Sequence, residues 1–115
     1  RLLHRAVFNL LENAVKYSPV GGAVHVSCRQ TDGVFRMEVT DQGPGIPTEL
    51  RQQIFEPFFR VDDARSRQQG GAGLGLALVR AIAEVHGGAV RVEEAPSGGS
   101  RFLLELPMGP GRPDA

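Results

Sequence analysis

Apolar and polar residues alternate along the first third of the chain with two different periods. Over residues 1–17 the apolar side chains recur at the spacing of one helix face; they are Leu3, Val7, Leu10, Leu11 and Ala14. Residues 23–29, with Val26 and Cys28 on one side, and residues 34–40 instead alternate singly. A glycine turn signal at 32–33 separates them. The pattern predicts a helix followed by an antiparallel hairpin.

The rest of the chain predicts a short helix, a loop, a second long helix and a second hairpin, with no internal repeat. A proline at the start of residues 47–55 suits the first turn of a short helix, whereas residues 60–72 have few large apolar side chains and predict a mobile loop. Residues 75–86 are apolar around most of the helix circumference and predict a well-buried helix that ends at two glycines. Residues 89–94 and 100–106 predict a second hairpin. The expected fold is a two-layer α+β sandwich, with helices on one face of a mostly antiparallel sheet.

Composition narrows the class of protein. A length of 115 residues suits one domain, and 41% hydrophobic with 23% charged residues is typical of a globular chain. The 13 basic residues equal the 13 acidic ones in number, so the basic excess that nucleic acids and anionic membranes normally require is missing. A single cysteine excludes an internal disulfide and favours a reducing compartment. We expect a cytoplasmic domain with no nucleic-acid partner and no direct membrane contact.

A polar stripe runs along the first predicted helix, opposite its apolar arc. Arg5, Asn9, Asn13 and Lys16 project within one arc, and Glu12 lies at its edge. Asparagine is a poor helix former, so two of them in a helix interior are costly unless their amides bind something. The stripe is either a solvated face, or a site where asparagine oxygens bind a hard cation such as Mg²⁺ and Lys16 faces phosphate oxygens.

Asp41 ends the second predicted strand with the parity of the apolar residues before it. This parity places a carboxylate on the apolar side, where it needs hydrogen bonds from local backbone or from a ligand amino group. Gly43 and Gly45 follow. They form either a simple turn or a backbone that approaches a flat ring closely.

Glycines also precede the second long helix, at Gly71, Gly73 and Gly75. Backbone amides in such a segment, together with the positive end of a helix dipole, bind phosphates. This glycine pattern is weak evidence by itself, and it matches neither a Walker loop nor a dinucleotide-binding motif.

Together these segments resemble the catalytic and ATP-binding domain of sensor histidine kinases. This family belongs to the ATPase superfamily that includes gyrase, the 90-kDa heat-shock chaperone and the mismatch-repair ATPase. Residues 9–18, 41–46, 55–60 and 71–76 are similar to its N box, first glycine box, F box and second glycine box, and residues 97–102 to its weaker third glycine box. The resemblance implies the Bergerat ATP-binding type of sandwich, with residues 60–72 as the ATP lid.

The resemblance also implies roles for single residues. Asp41 would accept a hydrogen bond from the adenine amino group, while Asn9 and Asn13 would hold Mg²⁺ on the triphosphate. Arg60 would stabilise charge on the transferred phosphoryl group, and Glu12 is a further hypothesis for polarising the nucleophile. The remaining predicted nucleotide contacts are Lys16, Tyr17, Gly43, Gly45, Ile46, Phe58, Arg60, Gly71, Gly73, Leu74, Gly75, Leu76 and Ser100.

The implied reaction is transfer of the ATP γ-phosphoryl group to a histidine, and from there to the receiver domain of a response regulator. The chain's histidines, His4, His25 and His86, lack the acidic neighbour typical of the phosphoacceptor. The acceptor is therefore expected on a separate dimerisation domain, with residues 1–107 as the catalytic fragment and 108–115 as a flexible tail.

Other classes are less favoured by the same residues. Hydrolytic relatives place a glutamate where Asn9 stands, and asparagine cannot act as a general base. An anti-sigma-type regulatory kinase or binding module remains the alternative, although the F box at residues 55–60 favours a sensor kinase.

Overall fold

The computed structural model describes residues 2–59 and 74–108. The predicted loop at 60–72, which includes Arg60 and Gly71, lies outside the described residues, and so does Gly73. The helices are α1 (Leu2–Tyr17) and α2 (Gly75–Val85), and the strands are β1 (His25–Thr31), β2 (Val34–Thr40), β3 (Ala89–Glu94) and β4 (Ser100–Pro107). These bounds confirm both predicted helices and all four predicted strands to within about two residues.

The four strands form one antiparallel sheet in the order β1-β2-β4-β3. The central pair aligns Met37 with Leu104 and Val39 with Phe102. One further backbone bond, from Asp41 N to Ser100 O at 2.9 Å, extends this pairing beyond β2. The residue that follows β2 therefore lies beside the first residue of β4.

The core lies between the helices and one face of the sheet. Alternate residues of β2 and β4 are buried there against α1 and α2; they are Met37, Val39, Phe102, Leu104 and Leu106 from the strands and Ala6, Leu10, Ala14, Val79, Ile82 and Ala83 from the helices. The opposite face has charged pairs such as Arg36 and Glu105, whose Nε and Oε2 are 2.9 Å apart. Apolar burial on one face only produces the expected α+β sandwich.

The first strand differs from its sequence pattern. All seven residues of β1 are exposed, including Val26 at 48%. The register with β2 puts Val26 and Cys28 on the same sheet face as the core, but the helices pack mainly over the other three strands. Alternation correctly predicts the strand, and the exposure results from its position at the sheet edge.

Two other predicted segments also differ in detail. The single short helix expected at 47–55 is two 3₁₀ turns, Thr48–Leu50 and Gln53–Phe55. Helix α2 was expected to be well buried, but Leu78 is 41% and Val85 73% exposed. Apolar residues occur around most of the circumference of α2, but the core covers only one side of the helix.

The predicted C-terminal stop of α2 is confirmed. Gly87 adopts a φ of +75°, and Gly88 N donates to Ala83 O at 2.8 Å. A glycine with positive φ lets the chain turn back and bond the last free helix carbonyls.

At the other end of the described residues, Met108 is buried, and its N–H donates to Gly33 O at 2.7 Å. The first residue of the predicted tail thus packs on the domain, while the division at 107 stays a prediction. None of the helices in ranges 2–59 and 74–108 is long and apolar enough to cross a membrane.

Candidate functional site

Asp41 is the most deeply buried acidic residue of the described chain, at 2% exposure. Its Oδ1 accepts a hydrogen bond from Gly43 N at 2.9 Å and another from Ser100 N at 3.3 Å. Within residues 2–59 and 74–108, no group donates to Oδ2. The expected position of Asp41 on the apolar side is confirmed, and of the two expected kinds of donor the structure shows backbone N–H groups. The arrangement holds one oxygen in place and leaves the other as an acceptor for an outside donor.

The loop after Asp41 is held at three further points. Gln42 N donates to Ser18 Oγ at 3.4 Å, and Gln42 Oε1 accepts from Ala23 N at 3.0 Å. At the far end of the loop, Arg51 Nε donates to Ile46 O at 3.2 Å. The sequence analysis did not identify Ser18, Gln42 or Arg51 as site residues. Their side chains reach backbone groups that only the folded chain brings near, and no local motif indicates such contacts.

Glycines let this loop pack tightly against its neighbours. Gly45 has a φ of +79°, and a Cβ there would lie 2.8 Å from Gly98 O. A Cβ on Gly43 would lie 2.5 Å from Tyr17 O. These glycines therefore have a role in packing inside the protein, besides the approach to a ligand ring that the resemblance implies.

The polar stripe of α1 lies between this loop and the start of α2. Asn9, Asn13 and Lys16 are half-buried. Asn9 Nδ2 donates to Gly75 O, the first residue of α2, at 3.3 Å. The stripe and the first turn of α2 are therefore in direct contact, as a site shared by the N box and the second glycine box requires.

Glu12 points to the other flank of α1. It is exposed, and with Phe8, Leu11, Val15 and Lys16 it lines a shallow apolar concavity. Within the described residues, no hydrogen bond or ion pair joins Glu12 to the loop at Asp41 or to α2. Its catalytic role stays a prediction that this placement does not strengthen.

The other predicted contacts differ in exposure. Phe58 is 69% exposed with a φ of +69°, and Leu74 is 45% exposed. Leu76 and Ile46 are partly buried against the core, and Ser100 is 4% exposed. The structure thus brings Tyr17, Asp41, Gly43, Gly45 and Ser100 together at one end of the sheet.

An ion pair between Arg101 and Glu93 lies on the outer face of the sheet. Arg101 Nε donates to Glu93 Oε1 at 3.1 Å, and the guanidinium Nη2 donates to the same oxygen. This hydrogen bond lowers the pKa of Glu93 and raises that of Arg101. Because Arg101 directly follows Ser100, the pair holds β3 against β4 beside the site.

Comparisons with known proteins show the family of the chain. Residues 1–110 match the family model of histidine kinase-, DNA gyrase B- and HSP90-like ATPases. Sensor-like histidine kinase SenX3 of Mycolicibacterium smegmatis is 47% identical over 109 residues, which cover 95% of this chain and 28% of that protein. The histidine-protein kinase/phosphatase MprB of a Mycobacterium species is 49% identical over 116 residues, 96% of this chain and 22% of that one. The chain spans about a quarter of the length of these relatives.

Solved structures show the same fold. The mycobacterial sensor histidine kinase MprB superimposes with a TM-score of 0.80 at 44% identity, covering 98% of this chain and 72% of that chain. Full-length ShkA in complex with AMPPNP gives a TM-score of 0.78 at 36% identity, with 92% and 21% covered.

The sandwich fold and these comparisons define an ATP-binding domain. The chain belongs to the histidine kinase-, DNA gyrase B- and HSP90-like ATPase family. Within that family it is an ATP-binding catalytic domain of the two-component sensor histidine kinase type. The resemblance inferred from the four boxes is confirmed, and nothing favours the anti-sigma alternative.

Proposed function

We propose that this domain binds ATP with Mg²⁺ through the residues described above. In the whole protein, it would pass the γ-phosphoryl group to a histidine of a dimerisation domain for relay to a response regulator. The supporting observation is the Asp41 carboxylate, buried with Oδ1 held by two N–H groups and Oδ2 without a donor in the described chain. We further propose that the domain works in the cytoplasm.

Asp41 would recognise adenine through its exocyclic amino group. Oδ2 has no donor within the described chain, and a ligand N–H on this carboxylate oxygen would form a charge-assisted hydrogen bond. The ring would lie along the backbone at Gly43 and Gly45, where no side chain intervenes. ShkA, whose solved structure contains AMPPNP, an ATP analogue, supports an adenine nucleotide as the ligand.

Asn9 and Asn13 would hold Mg²⁺ through their amide oxygens. Amide oxygens are hard ligands that suit Mg²⁺, especially when phosphates bring the negative charge. The Asn9 amide nitrogen already donates to Gly75 O, which leaves its oxygen for the cation. No group of three or more His, Cys, Asp or Glu side chains in the described ranges could hold a metal ion. The proposed donor set is the asparagine pair, with Lys16 facing the phosphates.

The proposed step is an in-line transfer of the γ-phosphoryl group from ATP to a histidine side chain. The bond between the γ-phosphorus and the bridging oxygen breaks, a bond to an imidazole nitrogen forms, and ADP leaves with the electron pair. The attacking imidazole nitrogen supplies its lone pair, and the proton on the other ring nitrogen passes to solvent. Arg60, outside the described residues, is the proposed cation for the transferred group.

Transfer to a separately prepared dimerisation domain of the full-length protein tests this function. We expect γ-labelled ATP with Mg²⁺ to label a histidine of that domain, as an acid-labile phosphoramidate. Asp41→Asn should reduce labelling at least about tenfold at subsaturating ATP, since it removes a charge-assisted hydrogen bond.

Asp32→Asn is the matched control. It makes the same chemical change at an exposed turn whose φ of +55° asparagine tolerates, and it should label at the wild-type rate. ATP binding without any labelling of the histidine domain would contradict the kinase function and favour a regulatory binding module.

A further inference from the structure

We infer that Gly99 is a positioning residue that sets the orientation of the Asp41 carboxylate and, through it, the selectivity for adenine. The inference rests on the adenine contact proposed above. Gly99 lies in the hairpin between β3 and β4, within the segment similar to the third glycine box. In this account the hairpin acts on the nucleotide through Asp41.

The backbone at Gly99 approaches Asp41 more closely than any side chain permits. A Cβ on Gly99 would lie 2.1 Å from Asp41 O and 3.0 Å from Gln42 Cα. This close approach brings Ser100 N within 3.3 Å of Asp41 Oδ1 and Asp41 N within 2.9 Å of Ser100 O. The missing side chain at position 99 is therefore a condition for both bonds.

The hairpin cannot easily yield at this position. Ala95 N donates to Gly99 O at 2.8 Å, and Gly98 N donates to Ala95 O at 2.9 Å. Ala95 is itself 2% exposed, so the turn is packed as well as hydrogen-bonded. A methyl group on residue 99 would therefore displace the strand end that contains Asp41.

Loss of the Ser100 bond would change what Asp41 can recognise. With both Gly43 N and Ser100 N on Oδ1, the carboxylate is fixed and Oδ2 has one direction. With one donor lost, the carboxylate can rotate, and the amino group of adenine loses an acceptor at a fixed position. A preorganised polar group discriminates between ligands that differ by one donor, and a mobile one does so poorly.

The test compares ATP with purine riboside triphosphate, which lacks the 6-amino group, on the full 115-residue chain. Wild type should bind ATP about ten- to a hundredfold more tightly, the range for one hydrogen bond to a charged group. In Gly99→Ala this ratio should fall close to one. A merely structural role would weaken both ligands alike and leave the ratio unchanged.

Gly88→Ala is the matched control, because a Cβ there would lie 1.9 Å from Glu105 O, a similar backbone clash in another part of the sheet. It should keep the wild-type ratio, even with lower stability. If the affinity ratio is unchanged in Gly99→Ala, or falls as much in Gly88→Ala as in Gly99→Ala, the positioning role of Gly99 is overturned and the adenine contact of Asp41 is not. A wild-type ratio near one overturns the adenine contact and the positioning role together.

Hydrogen exchange decides the case in which Gly99→Ala does not fold. The Ser100 amide proton should exchange slowly in the wild type, because it is hydrogen-bonded to Asp41 Oδ1, and faster in Asp41→Ala, which removes the acceptor. A Ser100 amide that exchanges equally fast in both proteins overturns the proposal.

Discussion

Asp41 combines two requirements that usually conflict, a charge and deep burial. Its Oδ1 accepts from one nearby N–H, at Gly43, and from one remote N–H, at Ser100. These two bonds offset part of the cost of burial and also orient the group. At the scale of the residue, the protein provides hydrogen bonds to Oδ1, and Oδ2 is the oxygen proposed to accept from the adenine amino group.

In Asn9, too, the two polar atoms of one side chain have different partners. Its amide nitrogen bonds Gly75 O at the first turn of α2, and its oxygen is the proposed Mg²⁺ ligand. A cation on the oxygen would therefore act on a side chain that already contacts α2.

Asn9→Ala tests this contact without any ligand. Loss of the bond to Gly75 should increase amide hydrogen exchange in the first turn of α2 about fivefold, the equivalent of one ordinary hydrogen bond. Exchange is measured by NMR or mass spectrometry. Asn13→Ala should leave it unchanged, since within the described chain Asn13 has no such bond. Equal exchange in both variants would contradict a specific link between α1 and α2.

At the scale of the element, the outer face of the sheet has its own stabilising pattern. Glu93 of β3 and Arg101 of β4 stand opposite each other in the register. The hydrogen bond from Arg101 lowers the pKa of Glu93. A carboxylate whose pKa is lowered in the folded state stabilises the fold above its unfolded value, and this contribution is lost as pH falls through the folded value.

Glu93→Gln therefore has a pH-dependent effect. We expect the variant to be less stable than wild type at neutral pH, and the difference to vanish as pH falls below 4.5, the ordinary value for glutamate. The effect is small because the pair is partly exposed. Urea denaturation at several pH values measures it, with the exposed Glu94→Gln as control. A difference that persists in strong acid would contradict the ion-pair origin.

The sequence predicts elements well where the signal is local. Helix and strand periods locate α1, α2 and the strands, and strand parity correctly predicts that Asp41 is buried. Exposure of β1 could not be predicted, because it depends on which strands become central. Likewise, the Ser100 N–H that orients Asp41 lies 59 residues away, and the bond of Arg51 to Ile46 O has no motif.

At the scale of the whole molecule, the site is built on the core. Phe55, the first residue of the F-box segment, is 4% exposed and packs edge-to-face on Phe102, with ring centroids 6.2 Å apart. Phe102 follows Ser100 by two residues on β4, on the same sheet face. Core packing and the position of the site backbone are therefore connected through this strand.

Phe102→Ala should lower the free energy of unfolding by about 3–5 kcal/mol, the usual cost of removing a buried phenylalanine. Urea denaturation gives the value. Phe8→Ala is the control, because Phe8 is 55% exposed on α1 and should change stability by less than about 1 kcal/mol. Equal losses in the two variants would contradict the core described here.

Calorimetric titration with ATP, with and without Mg²⁺, tests the central claim most directly. Asp41→Asn keeps the size of the side chain and an oxygen for Gly43 and Ser100, but it turns an amide NH₂ toward the amino group of adenine. We predict binding that Mg²⁺ strengthens, that falls at least about tenfold in Asp41→Asn, and that Asp32→Asn retains. A folded wild-type protein that binds no ATP, or an Asp41→Asn variant that binds as tightly as wild type, would contradict the account.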